Sequence, residues 1–507
     1  MHDHDVVIVG AGPTGLMLAG ELALAGIDVT LLERRPDQTV AGARALGITA
    51  RTIEVLDQRG IADRFLSTGQ VAQVTGFAFT RLDISDFPTR HGYGLAIRQK
   101  HVERLLADWV RELGVEIQYD RPATDVTQDA GAATVSLADG TRLRSTYLVG
   151  CDGGRSLVRR AAGIAFPGWE ATTSRILAEV EMDETPPFGV HRTSMGLQAF
   201  GREQYEIRDG RIVYGDEGPI EVMVTEPGVE SGAEPTLERL RGLLVAAWGT
   251  DYGVTAPTWI SRFTDATRQA ERYRNGRVLL AGDAAHIHSP IGGQGLSTGV
   301  QDAVNLGWKL AQVVRGLSPE TLLDSYHTER HPVGARVLEA TMAQVALHRD
   351  DERTIAAREI LGEMFRMDEP RRHLAGRMSG LDIRYDLGIG HPLLGRRMPD
   401  LDLEVNGRPT RVFEQLRDGM PLLVEFTSER RLDASACGGR VRHVCSPGPS
   451  HCELPVTGEV ALPDAVLVRP DGHVAWTHSQ PAASLEQALA FWFGAAVGQP
   501  QISKKSI

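Results

Sequence analysis

An unbroken apolar run, Val6 to Val9, leads directly into Gly10-x-Gly12-x-x-Gly15, and no other stretch limits the possible folds as sharply. Consecutive apolar residues of this kind fit a parallel strand buried on both faces. A helix is predicted from about Thr14 to Ala25 and is stopped by Gly26. A second strand over Val29 to Leu32 then ends in Glu33. Strand, glycine turn, helix and strand in this order make a βαβ unit. Gly10 permits the tight turn, Gly12 lets the backbone approach a pyrophosphate, and Gly15 lets helix and strand pack closely. The helix N-terminus offers unpaired N–H groups and partial positive charge to phosphates. Glu33, 18 residues after Gly15, is placed to accept hydrogen bonds from a ribose diol. The unit reads as a dinucleotide cradle, without telling FAD from NAD.

A second strand-to-glycine junction lies far along the chain. Arg277-Val-Leu-Leu-Ala-Gly282-Asp283-Ala-Ala-His286 precedes Pro290, Gly292, Gly293, Gln294 and Gly295, and an amphipathic helix carries Val300, Val304, Leu310 and Val314 along one stripe. One nucleotide does not need two such turns, but an extended cofactor does. Asp283 would bond a ribityl chain, and the backbone N–H groups from Gly293 to Leu296 would face the flavin N1 and C2 carbonyl. Between the two turns, Tyr147 to Arg159 reads as a strand, the Asp152-Gly153-Gly154 turn and a helix start capped by Ser156. By itself that segment is equally a plain strand-to-helix turn with solvated arginines.

In order and spacing, the three segments resemble the class A flavoprotein aromatic hydroxylases, the group with the para-hydroxybenzoate hydroxylase fold. Arg44 in Ala43-Arg44-Ala45, Arg98-Gln99 heading a helix from His101 to Leu113, and Asn305-Leu-Gly-Trp-Lys309 also fit. The phrase from His288 to Lys309 is similar to the bacterial aromatic polyketide hydroxylases, which act on angucycline-, anthracycline- or tetracycline-type polycycles. The resemblance implies non-covalent FAD, NADPH (or NADH) and O2 as cofactor and co-substrates. It assigns cofactor binding to Gly10, Ala11, Gly12, Pro13, Thr14, Gly15, Glu33, Arg34, Arg44, Gln99, Asp152, Asp283, Pro290, Gly293, Gly295 and Leu296. The resemblance further implies that NADPH would supply hydride to the flavin and that a C4a-hydroperoxide would pass its distal OH to an electron-rich aromatic carbon. The chemistry belongs to the cofactor, while the protein orients, excludes water and supplies electrostatics. Rival outcomes are Baeyer–Villiger oxygenation, inactivation of a finished antibiotic, and a flavin reductase or non-catalytic flavin module.

The expected fold is α/β. A Rossmann-like FAD/NAD(P)-binding domain spans 1–175 plus 268–345, and an inserted antiparallel sheet over 176–267 is signalled by runs such as Ile212-Val-Tyr and Glu221-Val-Met-Val. An inserted sheet against a cofactor domain makes a cleft suited to substrate. A helical connection over 346–392 leads to a domain over 393–507 that resembles the thioredoxin-like appendage of the polyketide hydroxylases. There Pro421 to Phe426 and Ala465 to Trp476 read as strands, the latter a pair joined by Pro470-Asp471-Gly472, and a helix runs from Leu485 to Phe493. No CxxC is present, so redox work there is not expected.

A formal charge of -12, from 54 Lys plus Arg and 66 Asp plus Glu, disfavours nucleic acid, which requires phosphate neutralisation. No run is apolar enough for a membrane span, and the first residues carry no export signal. Cytoplasm is the expected location, with a monomer or homodimer acting on a small aromatic or polycyclic substrate. Cys437, Cys445 and Cys452 lie near His443 and His451, yet without the CxxC spacing of a zinc site, and reduced thiols without metal are the reading adopted. His286 and His288 read as packed histidines beside the loop rather than ligands or bases. Tyr205 and Tyr214 are candidates to polarise a phenol or simply to fill a core, and no catalytic side chain is assigned by motif.

Overall fold

The structure is a computed structural model and describes residues 4–40, 42, 45–208, 211–230, 234–349, 351–478 and 484–494. The predicted βαβ unit forms as β1 (His4–Val9), α1 (Pro13–Leu24) and β2 (Val29–Leu32). Helix α2 (Gln99–Glu112), β3 (Ile117–Gln118), β4 (Arg142–Gly150), β5 (Val278–Leu280), α3 (Gly295–Val314) and α4 (Asp324–Leu347) complete the cofactor half. The sheet order is β5-β4-β1-β2-β3, with Arg274–Asn275 extending the β5 edge. All pairs from β5 to β3 are parallel. Burial on both faces explains why Val6, Val7 and Ile8 can be apolar in succession.

Helix α1 is buried from Gly15 to Leu22 and is therefore apolar on nearly every side. Glycines set its spacing. A Cβ on Gly20 would lie 2.1 Å from the Trp109 ring of α2, and one on Gly307 of α3 would lie 2.5 Å from Glu21 Cβ. The two neighbouring helices thus approach α1 more closely than any side chain allows.

The insert is a five-stranded antiparallel sheet in the order Gly189–Thr193, Gly196–Arg202, Ile220–Thr225, Ser174–Glu181, Thr255–Thr264. Alternation divides its faces. Ile176, Ala178 and Val180 pack with Leu240, Leu243 and Leu244 of the helix Leu237–Trp248. Arg175 and Leu177 point the other way. The run around Ile212 departs from expectation: among the described residues, Arg211–Tyr214 pairs with Tyr205–Arg208 as a separate hairpin outside this sheet.

Near the C-terminus, Arg442–Cys445 lies parallel to Leu422–Glu425, which pairs antiparallel with Ala465–Val468 and through it with Val474–Thr477. Leu422, Val424, Val466 and Val468 face a local core, while Leu423 and Leu467 join the main core. The helix Leu485–Phe493 opens with a Ser484–Gln487 capping box and brings Trp492 within 6.1 Å of Trp308 on α3.

This C-terminal sheet is bound to the cofactor half by buried charges. Glu329 on α4 accepts from Lys309 Nζ (2.8 Å), Asn305 Nδ2 (2.7 Å) and both Arg469 Nη atoms (2.6 and 2.8 Å). Asp471, in the predicted Pro-Asp-Gly turn, accepts from Arg469 and Asn305, while its carbonyl accepts from Arg51. Arg59 forks onto Glu21 of α1 and donates to the Pro470 carbonyl. Among the described residues no helix is long and apolar enough to cross a membrane.

Burial alone would raise the Glu329 carboxyl, but Arg469 and Lys309 outweigh it and hold the group at about 2, against an ordinary 4.5. A depressed carboxyl contributes stability that is full above the unfolded value and lost as pH falls through the folded one. In unfolding titrations this contribution should be complete above 4.5 and disappear towards pH about 2. At neutral pH, Glu329→Gln should cost about 3–5 kcal/mol, because Lys309 and Arg469 lose their shared buried counter-charge. Denaturant unfolding of the two proteins checks both.

Candidate active site

The first glycine turn closes at the ends of β1 and β4. Gly10 has φ +106°, and a Cβ there would sit 2.4 Å from the Cys151 carbonyl oxygen. A Cβ on Gly15 would lie 1.9 Å from the Gly10 carbonyl oxygen. Both glycines therefore serve chain packing. Gly12 differs, since a Cβ there meets nothing within 4 Å. It borders a cavity of about 1390 Å³ that is also lined by Pro13 and Thr14. Helix α1 has no side-chain N-cap, so its first N–H groups are available to a ligand.

Glu33 is buried at the end of β2 and accepts from the backbone N–H of Ala11 (2.8 Å) and of Arg35 (2.9 Å). Burial would raise its carboxyl, but the Arg35 hydrogen bonds and charge, with the Ala11 N–H, prevail and hold it below the ordinary range. Ala11 is fully buried and spends its N–H on Glu33, and neither it nor Gly15 lines the cavity. Arg34 is exposed at the rim. Arg35, which sequence reading passed over, holds Glu33, Glu103 and the Ala11 carbonyl together. Gln99 lines the cavity and donates to Glu103. Arg44 lies outside the described residues.

The second turn abuts the first. Cβ atoms on Gly282 (φ +61°) and Gly299 would fall 2.5 and 2.2 Å from Thr14 Oγ1, so Thr14 occupies a slot between them. Asp283 projects into the cavity, which is bounded further by Pro290, Gly293, Gly295 and Leu296. Gly293 has φ +62° and, like Gly12, leaves open space where a Cβ would be. Helix α3 starts there, again without a side-chain cap. The turn is held from behind by Asp302, which accepts from Gly282 N (3.2 Å) and Arg330 Nε (2.7 Å) and bonds His286 Nε2 (2.7 Å). His286 is thus a packed group, as expected. His288 bonds the Ser289 carbonyl oxygen at 2.7 Å, and burial pushes its pKa down, so it is neutral at the cavity edge.

Asp152 also lines the cavity, yet its carboxylate accepts from Ser156 Oγ and Val158 N, supporting Ser156, which caps the helix Leu157–Ala161 by accepting from Arg159 N as expected. Arg159 departs from the solvated arginine that its sequence setting suggests. It is buried and donates to the Ala284 and Gly154 carbonyls (2.9 and 3.0 Å), tying this turn to the second one. Opposite the turns, the inserted sheet contributes Arg175, Leu177, Leu197, Met223 and Phe263.

Tyr205 and Tyr214 do not reach this space. They line a separate cleft of about 400 Å³ with Arg98, His101 and Glu203, and Arg98 pairs with Glu221 rather than facing the cofactor turns. Among the described residues, Cys445 is the one C-terminal thiol that joins a cluster, with Glu425 and His443 and donor atoms within 4.8 Å of one another. Glu425 there accepts from His443 (2.7 Å) and from the Arg431 and Leu432 backbone.

Two uncapped helix N-termini, two glycines opening onto the same space and one carboxylate at each turn form a cradle for an extended dinucleotide, with room to spare beside the sheet. Residues 3–341 match the FAD binding domain family, and residues 391–496 match the aromatic-ring hydroxylase C-terminal family. The chain belongs to the FAD-dependent aromatic-ring hydroxylases and is a flavin monooxygenase.

Particular relatives narrow the group. A rifampicin monooxygenase from Streptomyces venezuelae is 45% identical over 97% of this chain and 99% of its own. The structure of OxyS anhydrotetracycline hydroxylase from Streptomyces rimosus is 40% identical and superposes with a TM-score of 0.87 over 97% of this chain and 99% of that one. CabE, an aromatic hydroxylase from angucycline biosynthesis, gives 39% and 0.87 over 97% and 100%.

The glycines make separable predictions. Gly12→Val should fold with unchanged thermal stability but bind FAD about tenfold or more weakly, at 1.4 kcal/mol per decade. Gly10→Ala should instead lose about 2 kcal/mol or more of stability through backbone strain and clash. Flavin titration beside thermal melts distinguishes them. Asp283→Ala should weaken FAD by about tenfold or more, the worth of a hydrogen bond to a charged group, and undiminished stoichiometric flavin would refute its placement.

Proposed function

We propose that the enzyme uses NADPH and O2 to hydroxylate a fused-ring aromatic of the polyketide class. The observation that carries this reading is the continuity of one cavity from the two glycine turns to the inserted sheet, so that cofactor and substrate share a single space. Relatives whose names specify rifampicin, anhydrotetracycline and angucycline chemistry support the substrate class. When bound, the flavin supplies the redox chemistry that activates oxygen. The chain's own residues hold and orient it: Gly12 to Thr14 at the diphosphate, Glu33 at a ribose, Asp283 at the ribityl chain, and the N–H groups from Gly293 to Leu296 at the flavin ring. Leu177, Leu197, Met223 and Phe263 give the substrate a largely apolar wall that keeps water from the reacting centre.

In this reading, 1–175 with 268–345 holds the cofactor and 176–267 walls the substrate. Residues 346–392 connect to 393–507, whose parallel pair followed by an antiparallel hairpin supports a thioredoxin-like identity. That last unit acts as a brace through Arg469 and Asp471. The likeness to a rifampicin monooxygenase favours, as a second reading, a finished antibiotic as the substrate.

The purified protein should be yellow. It should oxidise NADPH faster with anhydrotetracycline or rifampicin present than without, consume O2, and yield a product heavier by one oxygen atom by mass spectrometry. NADPH turnover that ignores both aromatics and does not need oxygen would mark a reductase instead.

A further inference from the structure

The carboxylates lining the cavity, Glu33, Glu103, Asp152 and Asp283, all belong to the cofactor half, which also contributes arginines such as Arg34, Arg35 and Arg155. The wall contributed by the inserted sheet carries Arg175 and no acid among its lining residues. Arg175 lies at the start of the strand Ser174–Glu181 and is only 8% exposed. Its guanidinium has no hydrogen-bond or ion-pair partner among the described residues, and its Nε is fully buried without one. Asp265, whose charge acts on Arg175 without pairing with it, is hydrogen-bonded instead to Thr172 N (2.7 Å), Thr172 Oγ1 (2.6 Å) and Thr173 N (2.8 Å). Phe263, opposite Arg175 in the strand register, lies with its ring centre 6.0 Å from the guanidinium carbon.

Beside Arg175, His348 stacks on Phe79 at 4.1 Å with its Nδ1 buried and unpartnered. Both rings border the cavity. Burial, with the charges of Arg175, Arg192 and Arg358, pushes His348 down to about 4, so it is a neutral hydrogen-bonding group at working pH. A buried guanidinium with no direct ion-pair partner is costly to maintain, even with the charge of Asp265 acting on it from a distance, and arginine retains its proton in such a place. A bound anion is the direct resolution.

We propose that Arg175 anchors an ionised ring oxygen of the substrate, a phenolate or enolate, with His348 as its neutral neighbour. The assignment rests on the cavity reading above and adds the chemistry by which one ring is chosen and oriented. An ionised hydroxyl completes the missing ion pair, whereas an ether at the same position would leave the guanidinium unpaired. It also enriches its own ring in electron density, the property an aromatic hydroxylation needs in its acceptor.

The test uses the FAD-loaded full chain and two dyes: alizarin, a fused-ring aromatic with acidic hydroxyls whose visible band moves to the red on ionisation, and its dimethyl ether. Wild type should bind alizarin in the red-shifted form at a pH where the free dye is neutral. Arg175→Gln should bind it about 10- to 100-fold more weakly, as expected for a hydrogen bond to a charged group, and leave it unshifted. Arg175→Lys should recover part of both, while the dimethyl ether binds all three proteins alike. Flavin content, read first, reports separately on the cofactor cradle. Full flavin with no ionised or bound alizarin in wild type overturns the anchor alone. So does Arg175→Gln with wild-type affinity and band, or one that weakens both dyes equally and thereby acts through packing. If Arg175→Gln does not fold, Arg175→Lys decides by the same two signals.

Discussion

A single buried carboxylate, Asp302, sets the geometry on which the active site depends. With no exposure to solvent, it ties the Gly282 N–H and His286 of the second turn to Arg330 on α4. Burial opposes its charge, but Arg330 and His286 prevail and hold it ionised. The Gly282–Asp283 turn cannot move without breaking these bonds inside the protein, where nothing replaces them. The turn is in turn seated on Thr14, which the glycines at 282 and 299 admit by leaving no Cβ in the way. Two glycine turns more than 250 residues apart in sequence thereby become adjoining walls of one space.

The second organising element is the charged seam between the cofactor half and the C-terminal sheet. Taking Lys309, Glu329, Arg469 and Asp471 out of water is expensive, and such clusters hold only when every partner is satisfied. Here Asn305 bridges the two carboxylates and Arg51 binds the Asp471 carbonyl. Arg59 extends the seam to Glu21 on α1, the same helix whose N-terminus faces the cradle. The position of the C-terminal turn is thus communicated to the cofactor helix through directional bonds, which specify one docking geometry where an apolar interface would tolerate several.

How far the site was legible depended on the range of each interaction. Gly10, Gly12 and Gly15 were readable because the turn, the strand before it and the helix after it are contiguous. The continuous apolar strands near the C-terminus were readable too, since burial on both faces leaves a local mark. Arg35, Arg159 and Asp302 were missed as structural members because each also binds a group on another element, Glu103, the Ala284 carbonyl and Arg330 respectively. Tyr205 and Tyr214 were equally ambiguous from sequence, as alternation identifies a strand but not which sheet it joins. Their hairpin pairs with itself and takes both tyrosines away from the cavity.

The sequence alone determined the class of ligand, the βαβ unit and the strands and helices around it, because these follow from local periodicity and from glycines that only particular turns require. Only the tertiary structure decided that Gly12 opens onto the cavity while Gly10 and Gly15 serve packing, that the Pro-Asp-Gly turn is a buried charged joint, and that Arg175 stands without a direct partner on the sheet side of that cavity. Those outcomes depend on which distant groups share a low-dielectric space, and desolvation and ion pairing are properties of that space rather than of any segment of chain.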